Sequence, residues 1–168
     1  MRQLLILTIT ALLAVSAFSQ TSLKTGEAAP TFSSQSLEGN SYDLSALKGS
    51  VVVMTFWSTR CAICHSEIPN LNRFTTRYEG KNVVFLALTM ENEEKIAPYL
   101  RSNPFKFQIL PNSFGVLLQY ADRTKEGNMN MGFPAFYVVD QAGQIAYRAS
   151  GYDKTGSIAA AIDKLIAN

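Results

Sequence analysis

Cys61 and Cys64 are the only cysteines in this chain. They stand three positions apart, Cys61-Ala62-Ile63-Cys64, where an apolar run over residues 51–57 gives way to a helical pattern, and a thiol pair so placed suits thiol–disulfide exchange. The partial positive charge at a helix start favours thiolate, and the second thiol can resolve a mixed disulfide formed by the first. A purely structural cross-link explains the pair poorly. Closing so short a loop stabilises a fold by only about 2 kcal/mol in the chain-entropy estimate, against roughly 4.7 kcal/mol for a loop of about 100 residues.

The next residue opens a rival reading. Cys61 to His65 also spells CxxCH, the attachment signature of a c-type haem, with His65 as proximal ligand and Met129 or Met131 on the opposite side. Against it, the cysteines follow a β-branched, strand-like run, and residues 136–149 read as a hairpin around Gln141-Ala142-Gly143, which fits a small cytochrome c poorly. On the exchange reading His65 is a solvent-facing residue of the first helical turn. Two cysteines and one histidine fall short of the four ligands of a structural zinc site. No cofactor is expected.

The elements that must position the dithiol follow from periodicity. Residues 21–50 are rich in Ser, Gly and other small residues and predict short strands or a hairpin, with turns at Glu38-Gly39-Asn40 and Lys48-Gly49. Residues 51–57 are a buried strand. From Ala62 the period changes: Ile68, Leu71, Phe74 and Tyr78 recur every three to four residues, predicting a helix with one apolar face that ends by Gly80. Residues 83–89 form a second buried strand, and continuous apolar runs on either side of a helix predict parallel pairing through it. A second helix is expected over 93–102, a short strand over 107–110 and a third helix over 113–120, capped by Asn112 or Ser113. The polar stretch from Asp122 to Gly132 reads as a long loop. Strands at 136–140 and 144–150 and a closing helix over 157–166 complete the chain.

At 168 residues with 47% hydrophobic composition, one domain with a sizeable core is expected. Its first residues are addressed elsewhere. Arg2 supplies a positive start, residues 4–15 are apolar but for threonines, and Ala17-Phe18-Ser19 offers small residues for cleavage, the pattern of a secretory signal over residues 1–19 ahead of a mature domain over 20–168. The run is short for a membrane span of about 20 residues, although an uncleaved anchor is the alternative. No cysteine near the cut offers a site for lipid attachment. Loss of Arg2 with the leader lowers Lys plus Arg from 15 to 14 against 13 acidic residues, a net of +1, which gives no electrostatic case for nucleic acid or an acidic membrane. Arg73, Arg77 and Lys81 are assigned to a solvated helix face. Export to the periplasm or beyond also changes what a dithiol needs: outside the cytosol it must be turned over by a redox partner.

This order of elements, with the dithiol at the first strand–helix junction, resembles the thioredoxin superfamily over roughly residues 26–167, and within it the exported TlpA/ResA-like thiol-disulfide oxidoreductases. Phe56-Trp57, Cys61, Cys64, Pro69 and Phe133-Pro134 carry the likeness. It implies an α/β, thioredoxin-like three-layer α/β/α sandwich with a central mixed sheet and an N-terminal β extension. By the same resemblance Cys61 is the exposed nucleophile and Cys64 the buried resolving thiol. Lowering a thiol pKa from about 8.5 to about 7 raises its thiolate fraction at neutral pH from roughly 3% to about half, and Arg60 stands where it could add to that.

The resemblance extends to the surroundings of the pair. Pro134 matches the family's cis-proline, whose backbone edge holds an extended partner segment, with Phe133 lining that site and Trp57 packed beside the dithiol at its edge, a core tryptophan being the other reading. Glu67 corresponds to an acidic residue near the active site that could take the proton of Cys64, the other reading being a surface glutamate favoured by the helix dipole. Thr55 occupies the position where thioredoxins proper keep a buried aspartate. Two departures are visible: Ala62-Ile63 replaces the commoner proline-containing dipeptides, and the stretch from Asp122 to Gly132 is longer than the usual link to the proline.

A peroxiredoxin-like peroxidase shares this architecture, but Met54 and Ser58 stand where its nucleophile motif needs proline and threonine. The expected function is disulfide exchange with protein substrates in the cell envelope by a monomer with no nucleic-acid role; the residues leave its direction open, and the resemblance implies a reductant served by a membrane-bound redox partner. A non-catalytic binding module using the same groove is the alternative of a different class.

Overall fold

The computed structural model describes residues 22–124 and 126–167; the leader expected over 1–19 lies outside them. Its centre is a mixed five-stranded sheet in the order β5-β4-β3-β8-β9, built from β3 (Val51–Phe56), β4 (Val83–Leu88), β5 (Gln108–Leu110), β8 (Ala135–Val139) and β9 (Ile145–Ser150). β3 is central and every residue of it is buried, as its uninterrupted apolar run predicts. It pairs in parallel with β4, Val51 facing Val83 and Phe56 facing Leu88, through the crossover helix α1 (Ala62–Thr76), and antiparallel with β8 on its other side.

Alternate residues of β3 serve two cores. Val51, Val53 and Trp57 pack with Leu71 and Phe74 of α1, Ile96 of α2 (Glu93–Ser102) and Ile158 and Ile162 of α4 (Thr155–Ile166). Val52, Met54 and Phe56 pack on the opposite face with Val116, Leu117 and Tyr120 of α3 (Phe114–Tyr120) and with Phe32 and Leu44 of the N-terminal extension. The layers are thus the α/β/α sandwich expected.

The extension is a small antiparallel pair, β1 (Ser33–Gln35) and β2 (Ser41–Asp43), joined through the expected turn, where Gly39 takes a φ of 83° that a side chain would strain. Ahead of it, Gly26, Glu27 and Ala29 hydrogen-bond to Gly143 and Ile145, so the arm lies beside the start of β9.

The first helix ends by Gly80 as expected, its last residue being Thr76, and a turn carrying Tyr78 runs on to Gly80, whose φ is 74°. Two expectations are corrected. Ser113 holds the N-cap position of α3 as expected but makes no side-chain capping bond: its hydroxyl donates to the Leu110 carbonyl at 3.0 Å. The stretch from Asp122 to Gly132 is not a plain loop. It folds into a two-stranded hairpin, β6 (Asp122–Arg123) with β7 (Met129–Asn130), closed by the Thr124 amide on the Asn128 carbonyl at 2.8 Å and tied to the body by Arg148, which donates to both Asp122 carboxylate oxygens at 2.6 and 2.7 Å. No helix among the described residues is long and apolar enough to cross a membrane. Arg73, Arg77 and Lys81 are exposed, but only Arg73 lies within α1: Arg77 is its C-cap and pairs with Asp163, and Lys81 follows the turn and lies over the Tyr78 ring.

Candidate active site

Cys61 is the N-cap of α1. Its backbone is extended (φ −88°, ψ 101°), and its sulfur accepts the backbone N–H of Cys64 at 3.0 Å. The two sulfurs are joined as a disulfide, 2.16 Å apart. Cys61 is partly exposed while Cys64 is 2% exposed and packs in the core with Trp57 and Leu71, an asymmetry that gives an incoming sulfur access to one cysteine and not the other. A thiolate at Cys61 would keep the Cys64 amide as a hydrogen-bond donor and sit at the positive end of a fifteen-residue helix.

The register of the sheet brings the expected neighbours to this end. Phe56, the last residue of β3, faces Ala135, the first of β8, so Phe133 and Pro134 lie beside the loop that leads to Cys61. The Phe133–Pro134 bond is cis, and the Pro134 carbonyl accepts the Gly151 amide at 2.9 Å. Phe133 is partly buried and packs against both cores. Trp57 packs in the core with Cys64 and Cys61, beside the dithiol as expected, but lines no partner site. It is 1% exposed, tilted against Tyr99 with ring centroids 5.7 Å apart and edge-on to Phe105 at 5.6 Å, and so forms the floor beneath the dithiol rather than a surface a partner can touch.

Glu67 is fully buried, which removes the surface-glutamate reading. It lies three residues after Cys64 on the same face of α1, and its oxygens accept the Asp153 amide at 3.2 Å and the Asn70 side-chain amide at 3.4 Å. Thr55 is buried too, and its hydroxyl has no partner among the described residues, so the carboxylate on this side of the sheet comes from α1 rather than from β3. His65 is exposed, with its ring edge-on to Tyr99 at 5.7 Å, and Arg60 is exposed.

One residue of the site was missed in the sequence. Glu91, in the loop between β4 and α2, has a side chain only 9% exposed, and its carboxylate accepts the Thr59 backbone N–H at 2.7 Å, the Thr59 hydroxyl at 2.8 Å and the Lys95 ammonium at 2.9 Å. Burial opposes its ionisation, but the Thr59 amide, Lys95 and the Thr59 hydroxyl outweigh that and hold the carboxyl below its ordinary range. The Glu91-to-Lys95 spacing reads locally as a helix-surface pair, and only the Thr59 contact reveals more.

Comparison with known proteins settles the class. The Redoxin family pattern matches residues 24–165. The chain belongs to the Redoxin family. It is similar to the thiol-disulfide oxidoreductase ResA of Bacillus cereus, 27% identical over 131 residues covering 77% of this chain and 71% of that one. It is similar also to the thioredoxin-like protein YneN of Bacillus subtilis, 28% identical over 123 residues covering 73% and 69%. Its fold matches the thioredoxin domain of a thiol-disulfide oxidoreductase from Bacteroides vulgatus with a TM-score of 0.70, at 24% identity over 86% of this chain and 99% of that one. This Redoxin protein is therefore a ResA-like member of the thioredoxin superfamily, and its activity class is protein-disulfide oxidoreduction.

Proposed function

We propose that this protein is an exported reductant of protein disulfides in the cell envelope, with the mature domain over residues 20–168 acting as a monomer. Cys61 thiolate attacks one sulfur of a substrate disulfide and expels the other as a thiolate. Cys64 then attacks Cys61 Sγ, closing the Cys61–Cys64 bond and releasing the second substrate sulfur; its proton passes to Glu67. The substrate gains two electrons and the protein loses them, so a membrane-bound dithiol donor must return two. The edge at Phe133 and Pro134 holds the extended substrate segment, and because the Pro134 carbonyl is engaged by Gly151, the strand-like bonds fall to the main chain of Phe133.

The observation that carries this reading is the asymmetry of the pair: a reachable Cys61 whose sulfur accepts the Cys64 amide, against a Cys64 buried in the core beside Glu67. The reducing direction is supported by what stands between the sulfurs. The side chains of Ala62 and Ile63 bring no charge or hydrogen-bond donor to a thiolate, and a dithiol becomes a strong oxidant only where its reduced form is specially stabilised. The thioredoxin-like sheet and the paired sulfurs speak against the haem reading, since His65 would have to ligate a group bound through both cysteines.

The test is insulin-disulfide reduction driven by dithiothreitol, with the Cys61→Ser variant as control, followed by equilibration against glutathione. Turnover that vanishes in Cys61→Ser and a potential below roughly −220 mV agree with the proposal. A non-catalytic binding module shows no turnover, and a potential near −120 mV makes the protein an oxidant.

A further inference from the structure

We propose that Glu91 is a positioning residue for Cys61, fixing the turn that leads into the nucleophile by holding Thr59 through both its main chain and its hydroxyl. The proposal rests on the reading of Cys61 as the attacking thiol.

Thr59 is two residues before Cys61, in a short connection from the end of β3 to the cap of α1. The Cys61 amide donates to the Ser58 carbonyl at 3.1 Å and the Arg60 amide to the Ser58 hydroxyl at 3.2 Å, so the turn is tight but its bonds are local. Glu91 supplies the tie to another element. Both oxygens are used, one on the Thr59 amide and the other on the Thr59 hydroxyl, and the second oxygen also receives Lys95. Lys95 offsets a negative charge that would otherwise oppose a thiolate nearby.

The tie is one end of a bracket. Glu91 immediately precedes Asn92, whose side chain caps α2 by accepting the Lys95 amide. Seven residues after Asn92, Tyr99 of α2 lies against Trp57, before the motif, and against His65, just after Cys64. The loop residue Glu91 and helix α2 behind it therefore grip the dithiol segment on both sides, Glu91 by a charged hydrogen-bonded contact ahead of Cys61 and Tyr99 by an aromatic contact behind Cys64. Burial and the Glu91 charge both push the Tyr99 phenol up, consistent with the two groups sharing this confined space. The Cys64 amide reaches Cys61 Sγ only while the turn holds Cys61 at the cap position, so what fixes Thr59 also maintains the hydrogen bond that favours the thiolate.

Two substitutions separate reach from charge. Glu91→Gln keeps the length and one oxygen for the Thr59 amide but loses the charge; Glu91→Asp keeps the charge and loses the reach by one methylene. The readout is the pH dependence of iodoacetamide alkylation of the fully reduced protein, with the alkylated cysteine identified by mass spectrometry and the fold checked by near-ultraviolet circular dichroism. Positioning predicts that Glu91→Asp slows Cys61 alkylation at pH 7 roughly tenfold, an upward shift of about one unit in its titration, while Glu91→Gln stays within about threefold of the parent. The proposal is overturned if Gln and Asp change places, which makes charge the agent, or if both leave the profile unmoved, which makes Glu91 a purely structural residue. Preferential alkylation of Cys64 in the parent protein would instead overturn the assignment of the nucleophile, and the two failures are distinct.

Discussion

The carboxylate of Glu67, buried under α1, accepts the backbone N–H of Asp153, 86 positions later in the chain, at 3.2 Å. That contact joins the dithiol helix to the loop between β9 and α4, where Asp153 takes a φ of 54° uncommon for a residue with a side chain. A buried carboxylate three residues beyond Cys64 can act on its proton, and it can also hold the loop; the two roles respond differently to substitution.

Glu67→Gln keeps an oxygen for the Asp153 amide and removes the proton acceptor. Turnover in insulin reduction is expected to fall by about tenfold or more, with the loss concentrated in kcat, while thermal stability changes little. Glu67→Leu leaves the Asp153 amide unpartnered and is expected to cost about 1–3 kcal/mol in denaturant unfolding as well. Equal turnover for the parent and Glu67→Gln removes Glu67 from the proton path.

Cys64→Ser is expected to form mixed disulfides it cannot resolve. Incubated with a disulfide-bonded protein, it should accumulate a covalent adduct through Cys61 that runs as a larger band without reductant, whereas Cys61→Ser forms none. Adducts through Cys64 in the Cys61→Ser variant would reverse the assigned roles.

Acid should weaken the tie at Thr59. The Glu91 carboxyl lies below its unfolded value of about 4.3, so its stabilising contribution is fully present above that pH and is lost as pH falls through the lower folded value. Thermal unfolding of the parent and Glu91→Gln, compared from pH 7 down to pH 3, should show a stability gap of about 1–2 kcal/mol at neutral pH that narrows below about pH 4. A gap that widens in acid contradicts the sign.

Arg148 donates to both oxygens of Asp122 and, at 2.6 Å, to the Leu23 carbonyl, tying the β6–β7 hairpin and the N-terminal arm to β9. Arg148→Met is expected to cost about 1–2 kcal/mol, discounted from a buried charged contact because the side chains of Arg148 and Asp122 remain 28% and 38% exposed. Amide hydrogen exchange should quicken in residues 122–130 and leave the strands β3 and β4 unchanged; protection lost throughout the sheet would mean the clamp supports the whole fold.

The order of elements and the exchange chemistry were determined by the sequence alone, because their signals act over a few residues. An apolar run marks β3, a three-to-four-residue period marks α1, and two cysteines one helical turn apart at that junction limit what the pair can do. Tertiary structure decided the rest. Thr59 and Glu91 are 32 positions apart, Asp122 and Arg148 26, and Glu67 and Asp153 86, so no local pattern could show that these groups meet. Whether Glu67 faces water or the core, whether Trp57 is a surface or a floor, and whether residues 122–130 form a loop or a hairpin each depend on which distant segment packs there. Burial and hydrogen-bond partnership belong to the folded neighbourhood of a residue, not to its neighbours along the chain.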